Sequence, residues 1–187
     1  LIVDGTLGEL RLIRAAFGFP MRGKDDFRYQ KAMGGGALLD CGGYPVRLAL
    51  ELLGETAKVT QSHLIQPEGY EVDLYGNAVL ENKNGLCAQI SFGMDNAYQC
   101  QLEVWGSRAT LIAPRVFTAG ADVVPKLILK SSNGEDVLEL PKDDQFLHSI
   151  EAFYQMVRET KQGHLIQRQA EMIETINDKF YFCERFV

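Results

Sequence analysis

The sequence predicts an α+β fold, a mostly antiparallel open-faced sheet with helices on one face. Three observations predict it. A strand-like run and a helical run open the chain, residues 58–140 alternate between short extended runs and turn signals, and two helical patterns close it. Because the strands follow one another through short turns and are segregated from the helices, an antiparallel meander is expected rather than alternating α/β units.

The first 54 residues predict one strand and one helix. Residues 10–19 are rich in aliphatic and aromatic side chains, which is typical of a strand. After a polar loop and three glycines at 34–36, residues 37–53 have a largely helical pattern that Gly54 ends. Pro45 indicates that this helix either begins close to it or bends there.

Seven further strands are expected in the middle of the chain. The dipeptide Asn84-Gly85 marks a hairpin turn between two of them. In residues 98–105, apolar side chains alternate with a second face made of Gln99, Gln101, Glu103 and Trp105. The expected strands are 59–65, 74–80, 86–92, 98–105, 110–113, 126–129 and 137–140.

Two amphipathic helices are expected at the end of the chain, separated by Gly163. Apolar side chains recur at three- and four-residue spacing in both. The first stripe contains Phe146, Ile150, Phe153, Tyr154 and Val157, and the second contains Ile173, Ile176, Phe180 and Cys183.

Composition excludes several classes of function. The net charge of −6 and the scattered basic residues argue against a nucleic-acid partner, which requires a basic stripe. No apolar run approaches the roughly 20 residues of a membrane-spanning helix, and no secretory signal opens the chain. Four dispersed cysteines and three dispersed histidines predict reduced thiols, no metal site and a cytoplasmic protein.

The stretch that points to chemistry runs from the three glycines at 34–36 to Tyr44. Glycines before a helix allow a ligand to approach the backbone closely. If the chain is helical there, Asp40 and Tyr44 project from one face, where a carboxylate and a phenol can bind sugar hydroxyls or assist proton transfer. The alternative is that Asp40 caps the helix and Tyr44 is a packed aromatic. The glycines are no dinucleotide fingerprint, because G-x-G-x-x-G requires glycine where Leu39 stands.

Gly34-Gly35-Gly36-Ala37-Leu38-Leu39-Asp40, with Tyr44-Pro45-Val46 after it, resembles the signature of the glucose–fructose oxidoreductase, inositol dehydrogenase and MocA-like family. Residues 88–93 and 102–107 are similar to the middle strands of the sheet in that family, and the likeness extends over nearly the whole chain. One departure is Ser107-Arg108-Ala109, where the family usually has Ser-Lys-Gly.

The resemblance implies that residues 1–187 are the single C-terminal substrate and oligomerisation domain of a two-domain enzyme. An N-terminal Rossmann domain, expected to be absent from this chain, would hold NAD or NADP and the catalytic lysine of a Glu-Lys-Pro segment. The implied reaction transfers a hydride between the nicotinamide and a carbon of a sugar or nucleotide-sugar. The chain alone is expected to be inactive and to form a homo-oligomer through its sheet face. The alternative is a non-catalytic binding or assembly module without a cofactor domain.

The resemblance also assigns the site residues. Tyr44 stands where many relatives have histidine and others tyrosine. Arg28 is expected to reach substrate oxygens or a phosphate from the pocket rim, or else to be a surface salt-bridge partner. The predicted catalytic residues are Asp40 and Tyr44, the predicted substrate-binding residues are Arg28, Tyr29, Asp40 and Tyr44, and the predicted cofactor-binding residues are Gly35 and Gly36.

Overall fold

The computed structural model describes residues 1–159 and 163–184, and within them it confirms the predicted α+β fold. Eight strands form one sheet in this part of the chain. The strands are β1 (Leu10–Gly18), β2 (Lys58–Ile65), β3 (Tyr75–Glu81), β4 (Cys87–Gly93), β5 (Gln99–Gly106), β6 (Ala109–Ala113), β7 (Lys126–Ser131) and β8 (Gly134–Glu139). The helices are α1 (Gly43–Leu53), α2 (Gln145–Glu159) and α3 (His164–Glu184).

The sheet is mostly antiparallel but is not the simple meander that the short turns indicate. Its order is β2-β3-β4-β1-β5-β6-β7-β8, so β1 lies between β4 and β5. β1 runs parallel to β4, with Ile13 opposite Ala88, and antiparallel to β5, with Ile13 also opposite Val104. The expectation of an uninterrupted meander was therefore wrong, because the first strand enters the centre of the sheet through contacts distant in sequence.

One face of the sheet carries the hydrophobic core. α1 packs on β1 and β4, and α3 packs on β2 and on α1. The strand residues that point towards these helices are buried, among them Ile13, Ala88, Ile90, Leu102 and Val104. Each alternates with a more exposed neighbour, as a sheet with one solvated face requires.

The opposite face of the sheet is open and bears the side chains predicted for it from β5. Gln99 and Trp105 are exposed, and Gln101 and Glu103 are half-buried. Arg14 of β1 pairs with Glu103 at 2.9 Å, and its guanidinium lies 5.9 Å from the centroid of the Trp105 ring. No helix of the described residues covers this face at the strands β3, β4, β1 and β5, whose outward side chains remain accessible.

Helix α2 confirms the predicted helix, but its apolar stripe is exposed. Ile150 and Phe153 are 67% and 66% exposed, and Phe146, Tyr154 and Val157 are also exposed. In α3, Ile176 is buried and Ile173 packs against the core, whereas the structure describes the backbone but not the side chains at 180 and 183. Across 1–159 and 163–184, no helix has both the length and the apolar character that a membrane crossing demands.

Candidate functional site

A widened helical turn carries Asp40, and the first turn of α1 after it carries Tyr44. Residues Leu38–Gly42 form a π-helical turn that runs directly into α1. Pro45 has no N–H, so it cannot donate to the carbonyl of Cys41 four residues earlier, and the wider turn accommodates this missing hydrogen bond. π-helical turns inside helices are frequent at functional sites. This turn places Asp40 and Tyr44 on the wall of one cavity.

A distant carboxylate holds the start of the π-helical turn. Asp73, between β2 and β3, accepts the N–H of Leu38 through Oδ2 at 2.8 Å, and its carbonyl accepts the N–H of Ala37 at 2.9 Å. Burial raises the pKa of the Asp73 carboxyl, although its hydrogen bond from the Leu38 N–H acts in the opposite direction. The role of Asp73 could not be predicted from the sequence, since 35 residues separate it from Leu38 and no local pattern links them.

Two of the three glycines are required because the chain packs on itself. A Cβ atom at Gly35 would lie 2.3 Å from the carbonyl oxygen of Arg28, and one at Gly36 would lie 2.5 Å from Oδ1 of Asp73. Gly36 also has a φ of +122°, a backbone conformation that residues other than glycine rarely adopt. Close contact with the protein's own backbone and with Asp73 thus accounts for glycine at both positions.

Asp40 and Tyr44 line a cavity of about 520 Å³. Its other polar side chains contact one another or the backbone, since Arg47 pairs with Glu51 at 2.9 Å and Gln169 Nε2 donates to the Gly43 carbonyl. The remaining wall is apolar. It is formed by Leu39, Leu48, Val116 and Phe117.

The carboxylate of Asp40 is held by a guanidinium. Arg28 Nε lies 2.9 Å from Asp40 Oδ1, and Arg28 Nη1 lies 3.1 Å from Asp26 Oδ1. Burial acts to lower the pKa of Arg28, but hydrogen bonding with Asp26 and the charge of Asp40 outweigh it and raise that pKa. Arg28 therefore stays charged and bridges two carboxylates.

The ring of Tyr44 is fixed by two aromatic neighbours. Its centroid lies 4.9 Å from that of Phe17, in an edge-on arrangement, and 5.8 Å from that of Phe117. The Tyr44 side chain is 42% exposed, and no hydrogen bond to its hydroxyl occurs within the described residues. Packing thus orients the ring while its phenol remains accessible from the cavity.

Cys41 lies between the two predicted catalytic residues in sequence but points into the core. It is fully buried, and its thiol donates to the Ala37 carbonyl at 3.2 Å. Burial, with a contribution from the charge of Asp40, raises the pKa of this thiol to about 12. Because the thiolate is the reactive form, Cys41 is not a nucleophile at neutral pH.

The other predicted site residues lie outside this cavity. Tyr29 is buried, its hydroxyl accepts the N–H of Arg22 at 2.8 Å, and its ring packs edge-on against Tyr70. Gly35 lines a second cavity of about 550 Å³, between the glycine segment and α3. The structure therefore brings Asp40, Tyr44 and, through Asp40, Arg28 together. The assignments of Tyr29 to substrate and of Gly35 and Gly36 to cofactor stay predictions.

Several residues of the wall of the first cavity could not be predicted from the sequence. Val116 and Phe117 come from the segment after β6, and Leu48 and Gln169 come from α1 and α3. Their common position depends on how three separate segments pack. The aromatic contact of Phe117 with Tyr44 is therefore visible only in the folded chain.

Comparison with known proteins gives consistent matches. A family model described as the GFO/IDH/MocA C-terminal domain matches residues 1–112. A dTDP-3,4-didehydro-2,6-dideoxy-alpha-D-glucose 3-reductase of Streptomyces antibioticus is 36% identical over 182 residues, covering 94% of this chain and 55% of that protein. A reductase of the same name from Saccharopolyspora spinosa is 38% identical over 160 residues, covering 84% of this chain and 48% of that protein.

Among solved structures, KijD10, a 3-ketoreductase from Actinomadura kijaniata in complex with NADP and TDP-benzene, matches with a TM-score of 0.90. It is 34% identical, and the match covers 96% of this chain and 56% of that one. The chain therefore spans about half the length of the curated relatives it matches.

Proposed function

Because this chain belongs to the GFO/IDH/MocA family, we propose that it supplies the substrate-binding part of a nicotinamide-dependent oxidoreductase acting on a nucleotide-linked keto sugar. The observation that carries the proposal is the convergence of Asp40 and Tyr44 on one cavity. The curated relatives are 3-reductases of a dTDP-linked keto sugar, and they support this substrate class.

Each of the two residues has a distinct task in the proposed reaction. The phenol of Tyr44 donates a hydrogen bond to the carbonyl oxygen of the sugar and then transfers its proton as that oxygen becomes an alkoxide. In a 3-keto sugar that keeps its C4 hydroxyl, the carboxylate of Asp40 accepts a hydrogen bond from that hydroxyl and so orients the ring. When bound, the nicotinamide nucleotide supplies the hydride that reduces the carbonyl carbon.

The apolar wall of the cavity favours a sugar that lacks some hydroxyl groups. Leu39, Leu48, Val116 and Phe117 offer no hydrogen bond from their side chains, so a hydroxyl facing them would lose its water without a replacement. A deoxygenated carbon or a methyl group there avoids this cost. The relatives named as acting on a 2,6-dideoxy sugar have a substrate of this kind.

The cofactor is proposed to bind mainly to a separate nucleotide-binding domain of the same protein. The residues of this chain do not fit a dinucleotide site of the Rossmann type, since Gly35 and Gly36 lie against Arg28 and Asp73 and the 187 residues contain no G-x-G-x-x-G. The relative from Actinomadura kijaniata binds NADP, which favours NADP over NAD as the cofactor of this protein.

The cytoplasm is the proposed location of this protein. The cysteines Cys41, Cys87 and Cys100 are free thiols, which is typical of proteins in that reducing compartment.

The activity assay uses the reductase in its form with the nucleotide-binding domain. We expect oxidation of NADPH when a dTDP-linked 3-keto-2,6-dideoxy sugar is added, and a rate about 5- to 150-fold lower with a counterpart that is hydroxylated at C2, because one unpaired buried hydroxyl costs about 1–3 kcal/mol. A folded protein that binds NADPH but reduces no keto sugar would favour the non-catalytic binding module instead.

A homo-oligomer is proposed to form through the open face of the sheet. The helices α1 and α3 cover the other face, and the open face exposes Trp105 beside Gln99 and the Arg14–Glu103 pair. We expect light scattering to give at least twice the mass of one chain, and Trp105→Asp to lower it by placing a charge on the contact surface. A wild-type monomer at high concentration would contradict this proposal.

A further inference from the structure

We propose that Arg28 is a positioning residue, which holds the carboxylate of Asp40 in the cavity wall and does not itself contact the sugar. The inference rests on the proposed function, because Asp40 must bind a substrate hydroxyl for its orientation to matter. It also decides between the two roles that the sequence leaves open for Arg28, namely a substrate ligand and a salt-bridge partner.

The guanidinium of Arg28 is occupied by the protein. Nε lies 2.9 Å from Asp40 Oδ1, and Nη1 lies 3.1 Å and 3.3 Å from the two carboxylate oxygens of Asp26. The ring of Phe27 covers the guanidinium, with its centroid 4.5 Å from the Arg28 Cζ atom. All three charged side chains are only 20–22% exposed. Arg28 is also not among the residues that line the cavity of Asp40 and Tyr44.

The backbone on which Arg28 stands is fixed on both sides. Its N–H donates to Asp26 Oδ1 at 3.0 Å, and its carbonyl accepts the N–H of Gly36 at 2.9 Å. The carbonyl of Gly36 in turn accepts the N–H of Asp40 at 2.9 Å. Arg28 and Asp40 are therefore connected through Gly36 as well as through their side chains. Because the backbone of Arg28 is already fixed, less conformational entropy is lost when its side chain pairs with Asp40.

The geometry of the ion pair leaves Asp40 able to bind a ligand. The buried Nε of Arg28 is close to Asp40 Oδ1 but is not aligned for a hydrogen bond, so the contact is an ion pair. The 2.9 Å contact is made to Oδ1 of Asp40, and no hydrogen bond to Oδ2 occurs within the described residues. The second oxygen can therefore accept a hydroxyl of the sugar while the first is held by Arg28.

A double-mutant cycle of Arg28→Met and Asp40→Asn tests this proposal in the reductase with its nucleotide-binding domain. Two quantities are measured, the Kd for dTDP-glucose and the kinetic constants with the keto sugar. We expect each single variant to raise Kd and KM about tenfold or more, with a smaller change in kcat. Asp40→Asn removes the charge that strengthens the hydrogen bond to the substrate, and Arg28→Met leaves the Asp40 carboxylate free to turn away from the substrate.

The double variant separates the two roles of Arg28. If Arg28 acts through Asp40, the double variant binds within about twofold of Asp40→Asn alone, because nothing is left for Arg28 to position. Independent effects that multiply to about 100-fold would show direct contact with the substrate and overturn the proposal. Arg28→Lys keeps the charge but cannot bridge both carboxylates, so it should restore part of the affinity lost in Arg28→Met.

Folding and the proposed reaction are checked separately. If Arg28→Met does not fold, the same cycle with Arg28→Lys keeps the test. If the wild-type protein binds dTDP-glucose but reduces no keto sugar, the proposed reaction is contradicted. The dissociation constants of the double-mutant cycle would still test the positioning role of Arg28. Wild-type protein that neither binds dTDP-glucose nor reduces the keto sugar would remove both proposals.

Discussion

Tyr44→Phe is expected to lower kcat of the proposed keto-sugar reductase by about 10²–10⁴-fold with little change in KM, because it removes the proposed proton donor. The ring contacts with Phe17 and Phe117 do not involve the hydroxyl, so phenylalanine should keep the packing of the site. Steady-state kinetics at saturating NADPH measures the effect.

The matched control for this variant is Tyr98→Phe. Tyr98 is 54% exposed, comparable with the 42% of Tyr44, but it is not part of the cavity wall. Its kcat should stay within about twofold of the wild-type value, as for most surface substitutions. A Tyr44→Phe enzyme that retains a third or more of the wild-type kcat would show that another group delivers the proton.

Gly35→Ala is expected to lower the free energy of unfolding by about 1–3 kcal/mol or more, the usual cost of overpacking. The added Cβ would lie 2.3 Å from the Arg28 carbonyl oxygen and 2.9 Å from that of Gln30. Both neighbours are backbone atoms, so relief requires the loop to move rather than a side chain to turn. Urea denaturation of the chain measures the effect, through the midpoint and its slope.

Gly23→Ala is the matched control for this stability experiment. A Cβ at Gly23 would meet no atom within 4 Å, and its φ lies outside the left-handed range. Its free energy of unfolding should change by no more than about 0.5 kcal/mol. If both alanine variants are equally stable, close packing is not the reason for glycine at position 35.

The elements of this fold follow from local sequence, whereas part of their arrangement does not. The turn at Asn84-Gly85 joins neighbouring strands, so the β3–β4 hairpin could be predicted from adjacent residues. The pairing of Ile13 with Ala88 joins residues far apart in the chain, and no turn signal specifies it. The insertion of β1 between β4 and β5 depends on such contacts.

The candidate site was also predictable only in part from local sequence. The spacing of Asp40 and Tyr44 predicted that they share a surface, and the structure places both on one cavity. The π-helical turn that contains Asp40 could not be predicted, since the hydrogen bond from Leu38 to Asp73 that holds its start joins residues 35 positions apart. The Arg28–Asp40 pair likewise requires the folded loop that brings 28 and 40 together.

We propose above all that Asp40 and Tyr44 bind the reacting end of a nucleotide-linked sugar. A crystal structure of the reductase with its nicotinamide nucleotide and a dTDP-linked sugar tests this most directly, through the position of the sugar ring. We predict that the oxygen at the reacting carbon lies about 2.6–3.2 Å from the Tyr44 hydroxyl, with a neighbouring hydroxyl on Asp40. A sugar ring seated instead in the second cavity, between the glycine segment and α3, would contradict the assignment.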